Sequence, residues 1–353
     1  MTIARATLAP GYEISRLIKG GWHLAGGHGA VDAAQACHDM AAFVEAGITT
    51  FDCADIYTGV EELIGLFRRD YPQHASRLQI HTKFVPDLDR LATCDRAYVE
   101  SVIDRSLRRL GVEQLDLVQF HWWDYAAPRF VEAALELERL RRAGKIRLLG
   151  VTNFGTAQLG AMLDAGVPFV AHQLQYSLLD DRPESAMIDL CRRRGLALLC
   201  YGTVAGGFLS DRWLGQPPAP AGPQANRSLT KYRLIIEEFG GWDLFQQLLG
   251  VLAAVAKRHH CDIATVATRA ILDRPVVAGA IVGATNTAHL ANHGRIDTVR
   301  LDADDEERIA AVTARRSGPR GDVYELERDR EGAHGRIMRY TLNRETPADS
   351  RGS

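Results

Sequence analysis

Residues 78–120 read LQIHTKFVPDLDRLATCDRAYVESVIDRSLRRLGVEQLDLVQF and contain one strand–helix–strand unit. Leu78–Phe84 and Leu115–Phe120 are short, nearly continuous apolar runs, as expected of strands buried on both faces. Between them, Asp95–Leu110 places apolar residues at helical spacing and stops at Gly111, a residue type that often ends helices. This stretch predicts one step of an alternating α/β fold.

The same alternation continues in both directions along the chain. Pro128–Ala143 predicts a helix, because a proline lies in its first turn and Gly144 follows its end. Most successive strands begin about 30 residues apart, which is the size of a βαβ step. Eight such steps predict the α/β class and a single (β/α)8 TIM barrel. The other strand candidates are Ile14–Lys19, Ile48–Asp52, Arg147–Thr152, Phe169–Gln173, Leu196–Tyr201 and Val276–Val282.

Length and composition are those of an ordinary globular protein: 353 residues, 46% hydrophobic, 24% charged, with a formal net charge of −2. We expect one barrel domain over residues 1–353, with a core at about 14–300 and a C-terminal helix and tail over 301–353. The helix is predicted near Ala303–Arg315. After the seventh strand, Leu214–Arg227 reads LGQPPAPAGPQANR, and its proline and glycine content predicts a long surface loop.

Several classes of partner are disfavoured by the same arithmetic. A nearly neutral chain lacks the basic surface that nucleic acids require. No apolar run approaches 18 residues and the N-terminus has no secretory h-region, so we expect no membrane partner and a cytoplasmic location. Six cysteines without a C-x-x-C pair indicate reduced thiols rather than a zinc site or a disulfide framework. These patterns leave open whether the chain forms a homo-oligomer.

Polar residues follow consecutive predicted strands at their carboxyl ends, where (β/α)8 barrels build active sites. Asp52 ends the second strand with Tyr57 shortly after it, Lys83 ends the third, and His121 follows the fourth. Lys83, oriented by Asp52, would lower the pKa of Tyr57 enough for proton exchange near neutral pH. One such residue is usually structural, but four at consecutive strand ends indicate catalysis. Beside them, Trp22 and Trp122 would either pack a substrate's apolar body or only seal the barrel rim.

These residues lie in FDCADIYTGVEELIG, HTKF, LVQFHWWD, GVTNF, HQLQYSLL and IVGATNTAHL, whose order and spacing resemble the aldo-keto reductase superfamily. The resemblance runs from about Lys19 to His293, and the GATN form resembles the branch of potassium-channel β-subunits and bacterial aldo/keto reductases. It implies that Tyr57 is the proton donor, that Asp52 and Lys83 tune its pKa, and that His121 orients the substrate carbonyl. It also implies a nicotinamide cofactor held without a Rossmann domain, and the chain has no G-x-G-x-x-G after a strand.

The resemblance further assigns cofactor contacts. Plain strand-end capping is the alternative for Asn153 and Gln173. The Lys and Arg that clamp the 2′-phosphate in many family members are missing, so NADP(H) is preferred on the GATN turn alone and NAD(H) stays an alternative. The assigned contacts are Gly21 and Trp22; Thr152, Asn153 and Gln173 at the carboxamide; Tyr201 stacked on the ring; Gly202, Thr203, Val204 and Gly206 at the pyrophosphate; and Gly283, Thr285, His289, Asn292 and His293 at the adenosine end.

The sequence therefore predicts an NAD(P)(H)-dependent oxidoreductase that interconverts an aldehyde or ketone and the alcohol by hydride transfer, with Tyr57 as general acid/base. Its partner would be a small-molecule carbonyl or alcohol substrate. An alternative is a cofactor-binding redox-sensing or regulatory subunit with little turnover. Metal-dependent hydrolysis in the same barrel is weaker, because the early strands offer no His-x-His motif or carboxylate cluster; we expect no metal. Substrate and reaction direction are not encoded in these patterns.

Overall fold

A closed barrel of parallel strands forms the centre of the computed structural model, which describes residues 3–25, 31–218, 227–283 and 286–343. Strands β3 to β10 pair with their neighbours in chain order, and β10 pairs with β3 to close the ring. The predicted (β/α)8 TIM barrel is confirmed. The strands are β1 (Arg5–Ala9), β2 (Tyr12–Ser15), β3 (Leu17–Gly20), β4 (Thr50–Asp52), β5 (Gln79–Phe84), β6 (Leu115–Phe120), β7 (Ile146–Thr152), β8 (Phe169–Gln175), β9 (Ala197–Tyr201) and β10 (Val277–Val282).

Helices surround the barrel, and their ends follow the capping signals of the sequence. In the helix predicted over Asp95–Leu110, the Asp95 side chain accepts from the Tyr98 amide, and Gly111 ends the helix with φ 64°. The helices are α1 (Ala33–Glu45), α2 (Val60–Asp70), α3 (Pro72–Ala75), α4 (Arg96–Leu110), α5 (Phe130–Arg142), α6 (Thr156–Asp164), α7 (Met187–Arg194), α8 (Arg227–Phe239), α9 (Gly241–Arg258), α10 (Ile263–Leu272), α11 (Leu290–Thr298), α12 (Ala303–Thr313) and α13 (Glu325–Arg328).

The N-terminal segment differs from the single predicted strand Ile14–Lys19. β2 pairs antiparallel with β1 in a separate hairpin, and only β3 joins the barrel. The chain turns at Arg16, whose guanidinium donates to the carbonyls of Leu272 and Val277. Leu8, Tyr12 and Ile14 of the hairpin pack against barrel-interior side chains, so the hairpin closes one end of the barrel. Because apolar residues continue on both sides of this turn, the sequence pattern does not indicate where β2 ends and β3 begins.

The segment after β9 is more helical than the predicted long loop. Residues 214–218 contain no helix or strand, and residues 219–226 of the predicted loop lie outside the described residues. From Arg227 the chain forms α8 and then α9, so two additional helices precede α10. Within the described ranges, no single helix is long and apolar enough to cross a membrane; α8 and α9 reach that composition only together, across a 95° bend.

The C-terminal extension crosses the end of the barrel at which the strands finish. α12 confirms the helix predicted near Ala303–Arg315. Beyond it, the Asp322 carboxylate accepts from the Thr156 amide, and the Asn343 side chain donates to the Val85 carbonyl. These contacts tie residues 322–343 to the segments that follow β7 and β5. The extension therefore covers part of the barrel mouth.

Candidate active site

A cavity of about 830 Å³ opens at the carboxyl ends of the barrel strands. It brings together most of the side chains singled out from the sequence, because parallel strands in a barrel end on the same face. The predicted residues that line it are Trp22, Asp52, Tyr57, Lys83, His121, Thr152, Asn153, Gln173, Tyr201, Gly202, Thr203, Val204, Gly206, Gly283, His289, Asn292 and His293.

Lys83 and Asp52 form a buried ion pair at the floor of this cavity. Lys83 Nζ donates to Asp52 Oδ1 at 2.9 Å, to Asp52 Oδ2 at 2.7 Å and to the Cys53 carbonyl at 2.8 Å. The side-chain amides of Gln119 and Gln173 also donate to Asp52 Oδ1. Burial by itself lowers the pKa of Lys83, but the Asp52 carboxylate outweighs it and holds that pKa above its ordinary value. The lysine is therefore a fixed positive charge.

Tyr57 lies beside that charge, with its ring centre 5.0 Å from Lys83 Nζ and 5.1 Å from the Trp22 ring. Burial raises the pKa of Tyr57, Lys83 lowers it, and Asp52 raises it again; the net direction is upward. The expectation that Lys83 brings this pKa near neutrality is therefore not met. Burial, which the sequence did not show, outweighs the lysine. The phenol is a protonated group, suited to donate its proton to a developing alkoxide.

His121 is neutral and has a defined tautomer. Burial, with help from the positive charges of Arg328 and Lys83, lowers the pKa of His121 to about 3. Its Nδ1 lies 3.0 Å from the carbonyl oxygen of Thr152. A carbonyl oxygen only accepts, so Nδ1 carries the proton and Nε2 presents a lone pair. Nε2 is buried and has no partner among the described residues. It is an acceptor placed for a hydroxyl group.

Asn153 and Tyr201 form the wall beside His121. Asn153 follows β7 in the left-handed conformation, with φ 60°, and its amide donates to the Gln173 carbonyl. The Tyr201 hydroxyl donates to Asn153 Oδ1 at 2.8 Å. The Gln173 side chain, in contrast, is directed to Asp52 and Gln119. The side chains of Asn153 and Gln173 thus have different partners, although the sequence predicts the same role for both.

A glycine turn follows β9 and lies directly under α8. Gly202 and Gly206 have φ values of 77° and 63°, which favour glycine. A side chain at Gly206 would lie 2.7 Å from the Tyr232 ring, and one at Gly202 would meet the Tyr232 hydroxyl. Because these positions are glycines, α8 can pack directly on the turn. The backbone of the turn then lies at the cavity wall.

Two of the predicted residues do not line the cavity, and a third falls outside the described residues. Trp122 is fully buried against Phe120 and does not line the cavity, whereas its neighbour Trp123 does. Gly21 also does not line it. The Gly21 amide donates to the Asp52 carbonyl at 2.7 Å, and an added Cβ would lie 2.7 Å from the same oxygen. Gly21 is thus needed for the close approach of the backbone beside β4. Thr285 lies outside the described residues.

The far end of the cavity has carboxylates that sequence reasoning missed. Asp211 accepts from the Ile263 amide, and Asp262 accepts from both the Thr265 amide and the Asn292 side chain. Both aspartates therefore lie at the N-terminus of α10, and both line the cavity. Burial and His289 lower the pKa of His293 to about 4, so that side chain is neutral as well. Asp262 stands directly before an apolar helical pattern, and this N-cap signal could have located it.

The C-terminal extension supplies a second set of missed residues. Tyr324 lies with its ring centre 5.7 Å from that of His121. No strand-end rule could assign these residues, because the extension contains no barrel strand. The only signal was a pair of tyrosines, Tyr324 and Tyr340, in a charged segment. The extension residues that line the cavity are Tyr324, Ile337, Met338, Arg339 and Leu342.

Other chemistries find less support. In the part of the chain that the structure describes, no three His, Cys, Asp or Glu side chains are grouped so that they could hold a metal ion. The six cysteines are free, and all but Cys261 are buried. The site therefore consists of a phenol, a fixed ammonium, a neutral imidazole and a surrounding aromatic wall.

Comparison with known proteins agrees with this geometry. A sequence model of the aldo/keto reductase family matches residues 16–314. The chain is 26% identical over 309 residues to the aldo-keto reductase YhdN of Bacillus subtilis (strain 168), covering 86% of this chain and 91% of that protein. It is 30% identical over 257 residues to flagellar radial spoke protein 5 of Chlamydomonas reinhardtii, covering 62% of this chain and 49% of that protein, so it spans about half of that relative. The glycerol dehydrogenase AKR11B4 from Gluconobacter oxydans shares the fold, with a TM-score of 0.74 and 22% identity over 88% of this chain and 95% of that one.

Proposed function

The chain belongs to the aldo/keto reductase family and is an oxidoreductase of that family, and from this premise we propose that it interconverts an aldehyde or ketone and the alcohol with NAD(P)(H). One observation carries the proposal: the Lys83–Asp52 ion pair lies beside a protonated Tyr57 within the cavity. A fixed ammonium next to a phenol stabilises the phenolate that remains after proton donation. We place the site in a single domain over residues 1–353 and the protein in the cytoplasm.

The residues present fit a nicotinamide dinucleotide. The cavity reaches from Tyr57 and His121 to Asn292, and it contains a glycine turn whose backbone can approach a pyrophosphate. Asn153 and Tyr201 would hold the nicotinamide end, together with Thr152 and Gln173. The bound cofactor supplies or accepts the hydride, as nicotinamides do. The protein contributes position, a proton and a fixed electric field.

Each group around the reacting oxygen has a separate task. Tyr57 gives its proton to the oxygen during reduction and takes one back during oxidation. Lys83 stabilises the phenolate in both directions, and Asp52 holds Lys83 in place. His121 Nε2, which carries no proton, cannot donate a hydrogen bond to a carbonyl; it accepts one from the alcohol hydroxyl only after Tyr57 has given that proton during reduction. Trp22 and Trp123 exclude water from the reacting centre.

The shape of the mouth favours substrates with an apolar body. Besides Arg339, this part of the cavity is lined by the aromatic or apolar side chains of Trp22, Trp123, Tyr324, Met338 and Leu342. Such side chains recognise a substrate through apolar area rather than through charge. We therefore propose an uncharged aldehyde or ketone, and the matching alcohol, as the substrate class.

We propose a preference for NADP(H) only because the GATN turn resembles that of the family branch named above. The described contacts at the far end include two carboxylates, Asp211 and Asp262, and a neutral His293. Carboxylates attract the ribose hydroxyls of a dinucleotide and repel an additional 2′-phosphate. Arg212 also lines this end and can compensate part of that repulsion. NAD(H) is therefore kept as the alternative cofactor.

Separate titrations with NADPH and NADH test the proposal, with quenching of tryptophan fluorescence as the readout. We expect saturable binding of at least one cofactor, followed by turnover of some member of an aldehyde, ketone and alcohol panel with the preferred cofactor. No binding of either cofactor would contradict the proposal. Binding without turnover of any carbonyl or alcohol would instead favour the redox-sensing or regulatory alternative.

A further inference from the structure

The C-terminal extension reaches the nicotinamide end through one arginine. Arg328 Nη2 donates to the backbone carbonyl of Asn153 at 2.7 Å and to the Tyr125 hydroxyl at 2.7 Å. The Tyr125 hydroxyl also accepts from the amide of Gly155 at 2.8 Å. Asp322, earlier in the extension, accepts from the Thr156 amide at 2.6 Å and from its hydroxyl at 2.9 Å. The extension thus holds residues 153–156 from outside the barrel.

The conformation of Asn153 depends on such contacts. Asn153 has φ 60°, a left-handed conformation that asparagine adopts more readily than other non-glycine residues and that its hydrogen bonds hold in place. Its amide donates to the Gln173 carbonyl at 2.9 Å, its carbonyl accepts from Arg328, and its side chain accepts from Tyr201. The backbone contact to Arg328 therefore helps to determine where the Asn153 side chain lies in the cavity wall.

Arg328 costs folding stability at this position, so a purely structural role does not explain it. Its Nε and Nη1 are buried and have no hydrogen-bond partner among the described residues. Burial lowers its pKa, and the guanidinium is stacked 4.1 Å from the centre of the Tyr125 ring. Buried donors without acceptors cost stability. Apolar residues of similar volume often replace buried charged groups without loss, so stability alone does not explain the arginine.

We propose that Arg328 is a positioning residue for the nicotinamide end of the cofactor: it holds the Asn153 backbone so that the Asn153 side chain and Tyr201 together receive the nicotinamide. The proposal rests on the proposed function. It assigns a task in cofactor binding to the C-terminal extension. It also predicts that Arg328 affects binding of the nicotinamide end of the dinucleotide and not of the adenosine end.

The test compares Arg328→Gln with the unaltered protein by titration with the preferred cofactor and with the matching fragment that lacks nicotinamide. That fragment is ADP-ribose for NADH and 2′-phospho-ADP-ribose for NADPH. We expect the Kd for the whole cofactor to rise about tenfold, while the Kd for the fragment stays within about twofold. Arg330→Gln is the matched control, because Arg330 lies in the same extension and pairs with Asp124 at the surface. We expect neither Kd to change in the control.

Two further variants protect the test against a folding defect in Arg328→Gln. Arg328→Lys keeps the charge, and Tyr125→Phe keeps the arginine but removes one of its acceptors. Each should weaken binding of the whole cofactor by a smaller factor than Arg328→Gln and leave the fragment unaffected. Added ethylguanidinium should partly restore cofactor binding to Arg328→Ala.

The outcomes separate the two proposals. An unchanged Kd for the cofactor in all Arg328 variants, or an equal loss for cofactor and fragment, would overturn the positioning role while leaving the proposed function intact. Failure of the unaltered protein to bind NADH or NADPH would overturn both.

Discussion

Lys83 Nζ lies 2.7 Å from Oδ2 of Asp52 and 2.9 Å from Oδ1, and this ion pair joins two neighbouring strands of the barrel. Both side chains are almost completely buried. A buried ammonium that is fully paired stays charged and stays in place. It is therefore a permanent positive charge at the cavity floor, and the centre of the Tyr57 ring lies 5.0 Å from Lys83 Nζ.

Tyr57→Phe removes only the hydroxyl that carries the proton. We expect turnover to fall by roughly 10²- to 10⁴-fold, the usual contribution of general acid–base catalysis, with cofactor binding unchanged. Steady-state rates and fluorescence titration measure the two effects. Tyr71→Phe is a matched control, because Tyr71 lies at the end of α2, packed against Phe67 and outside the cavity. Full activity in Tyr57→Phe would refute the assigned role.

Lys83→Met removes the positive charge that lowers the pKa of Tyr57. Without it this pKa rises further. Reduction requires protonated Tyr57 and fails as pH rises through its pKa, so the falling limb of the reduction profile should move to higher pH. Oxidation requires the phenolate, so its rising limb should move to higher pH as well, and both rates should fall. Profiles of kcat against pH in the two directions measure these shifts.

Lys19→Met is the control for this experiment. Lys19 is also a buried barrel lysine, but it lies near the rings of Phe43 and Phe51 and does not line the cavity. The limbs of the pH profile should stay in place in that variant. Limbs that also stay in place in Lys83→Met would contradict the electrostatic role of Lys83.

Asp55 makes stability fall as pH rises. Burial and the neighbouring Glu61 raise the pKa of Asp55 to about 8, although Arg105 opposes them. The unfolded chain releases this proton near pH 4, whereas the folded chain keeps it until about pH 8. The folded form therefore binds more protons between these values, and its stability decreases as pH rises.

Asp55→Asn mimics the protonated carboxyl at every pH. We expect its advantage in free energy of unfolding over the unaltered protein to grow by about 2–3 kcal/mol between pH 6 and pH 9, as measured by urea unfolding. Asp243→Asn, at an exposed carboxylate on α9, is the control that should show no such difference between the two pH values. A constant gap between Asp55→Asn and the unaltered protein would count against the raised pKa.

Trp122 and Trp123 should respond in opposite ways to truncation. Trp122→Ala empties a fully buried site, so we expect a loss of about 3–5 kcal/mol in the free energy of unfolding. Trp123→Ala opens the cavity wall beside His121, whose ring centre is 4.3 Å away, so it should raise KM for bulky apolar carbonyls several-fold at a smaller cost in stability. Thermal unfolding and KM values for small and large carbonyls distinguish the two. A substrate effect confined to Trp122→Ala would contradict this assignment.

His289→Arg would place a permanent positive charge at the adenosine end of the cavity. A guanidinium binds phosphate through paired hydrogen bonds, so we expect the Kd for NADPH to fall by about tenfold relative to that for NADH. Ala288→Arg adds the same charge one residue earlier, at an exposed position that does not line the cavity, and should change the ratio little. Equal ratios in the two variants would argue against a 2′-phosphate site near His289.

Asp52, Lys83 and His121 could be predicted because each lies at or next to a strand end in the sequence, and Tyr57 follows shortly after Asp52. Asp52 and Lys83 are themselves strand residues, and His121 follows β6 directly. Short buried runs between turns locate strands, and a parallel barrel then places their carboxyl ends on one face. For these residues, local pattern and chain order are sufficient.

Other placements could not be predicted from local patterns. β6 ends at Phe120, so strand alternation no longer decides which of Trp122 and Trp123 faces the cavity. The hairpin of β1 and β2 was hidden because its apolar residues continue those of β3. The pKa of Tyr57 was expected to fall, since the charge of Lys83 is visible in the sequence while burial, the larger effect, is not.

The sequence by itself determined the barrel and the identity of the groups at its strand ends, because both follow from periodicities within about 30 residues. Only the tertiary structure decided that the C-terminal extension covers this site. The contact between Arg328 and Asn153 joins residues 175 positions apart, and no local pattern encodes such a pair. The same holds for the protonation of Tyr57 and His121, because burial arises only when distant segments close over a side chain.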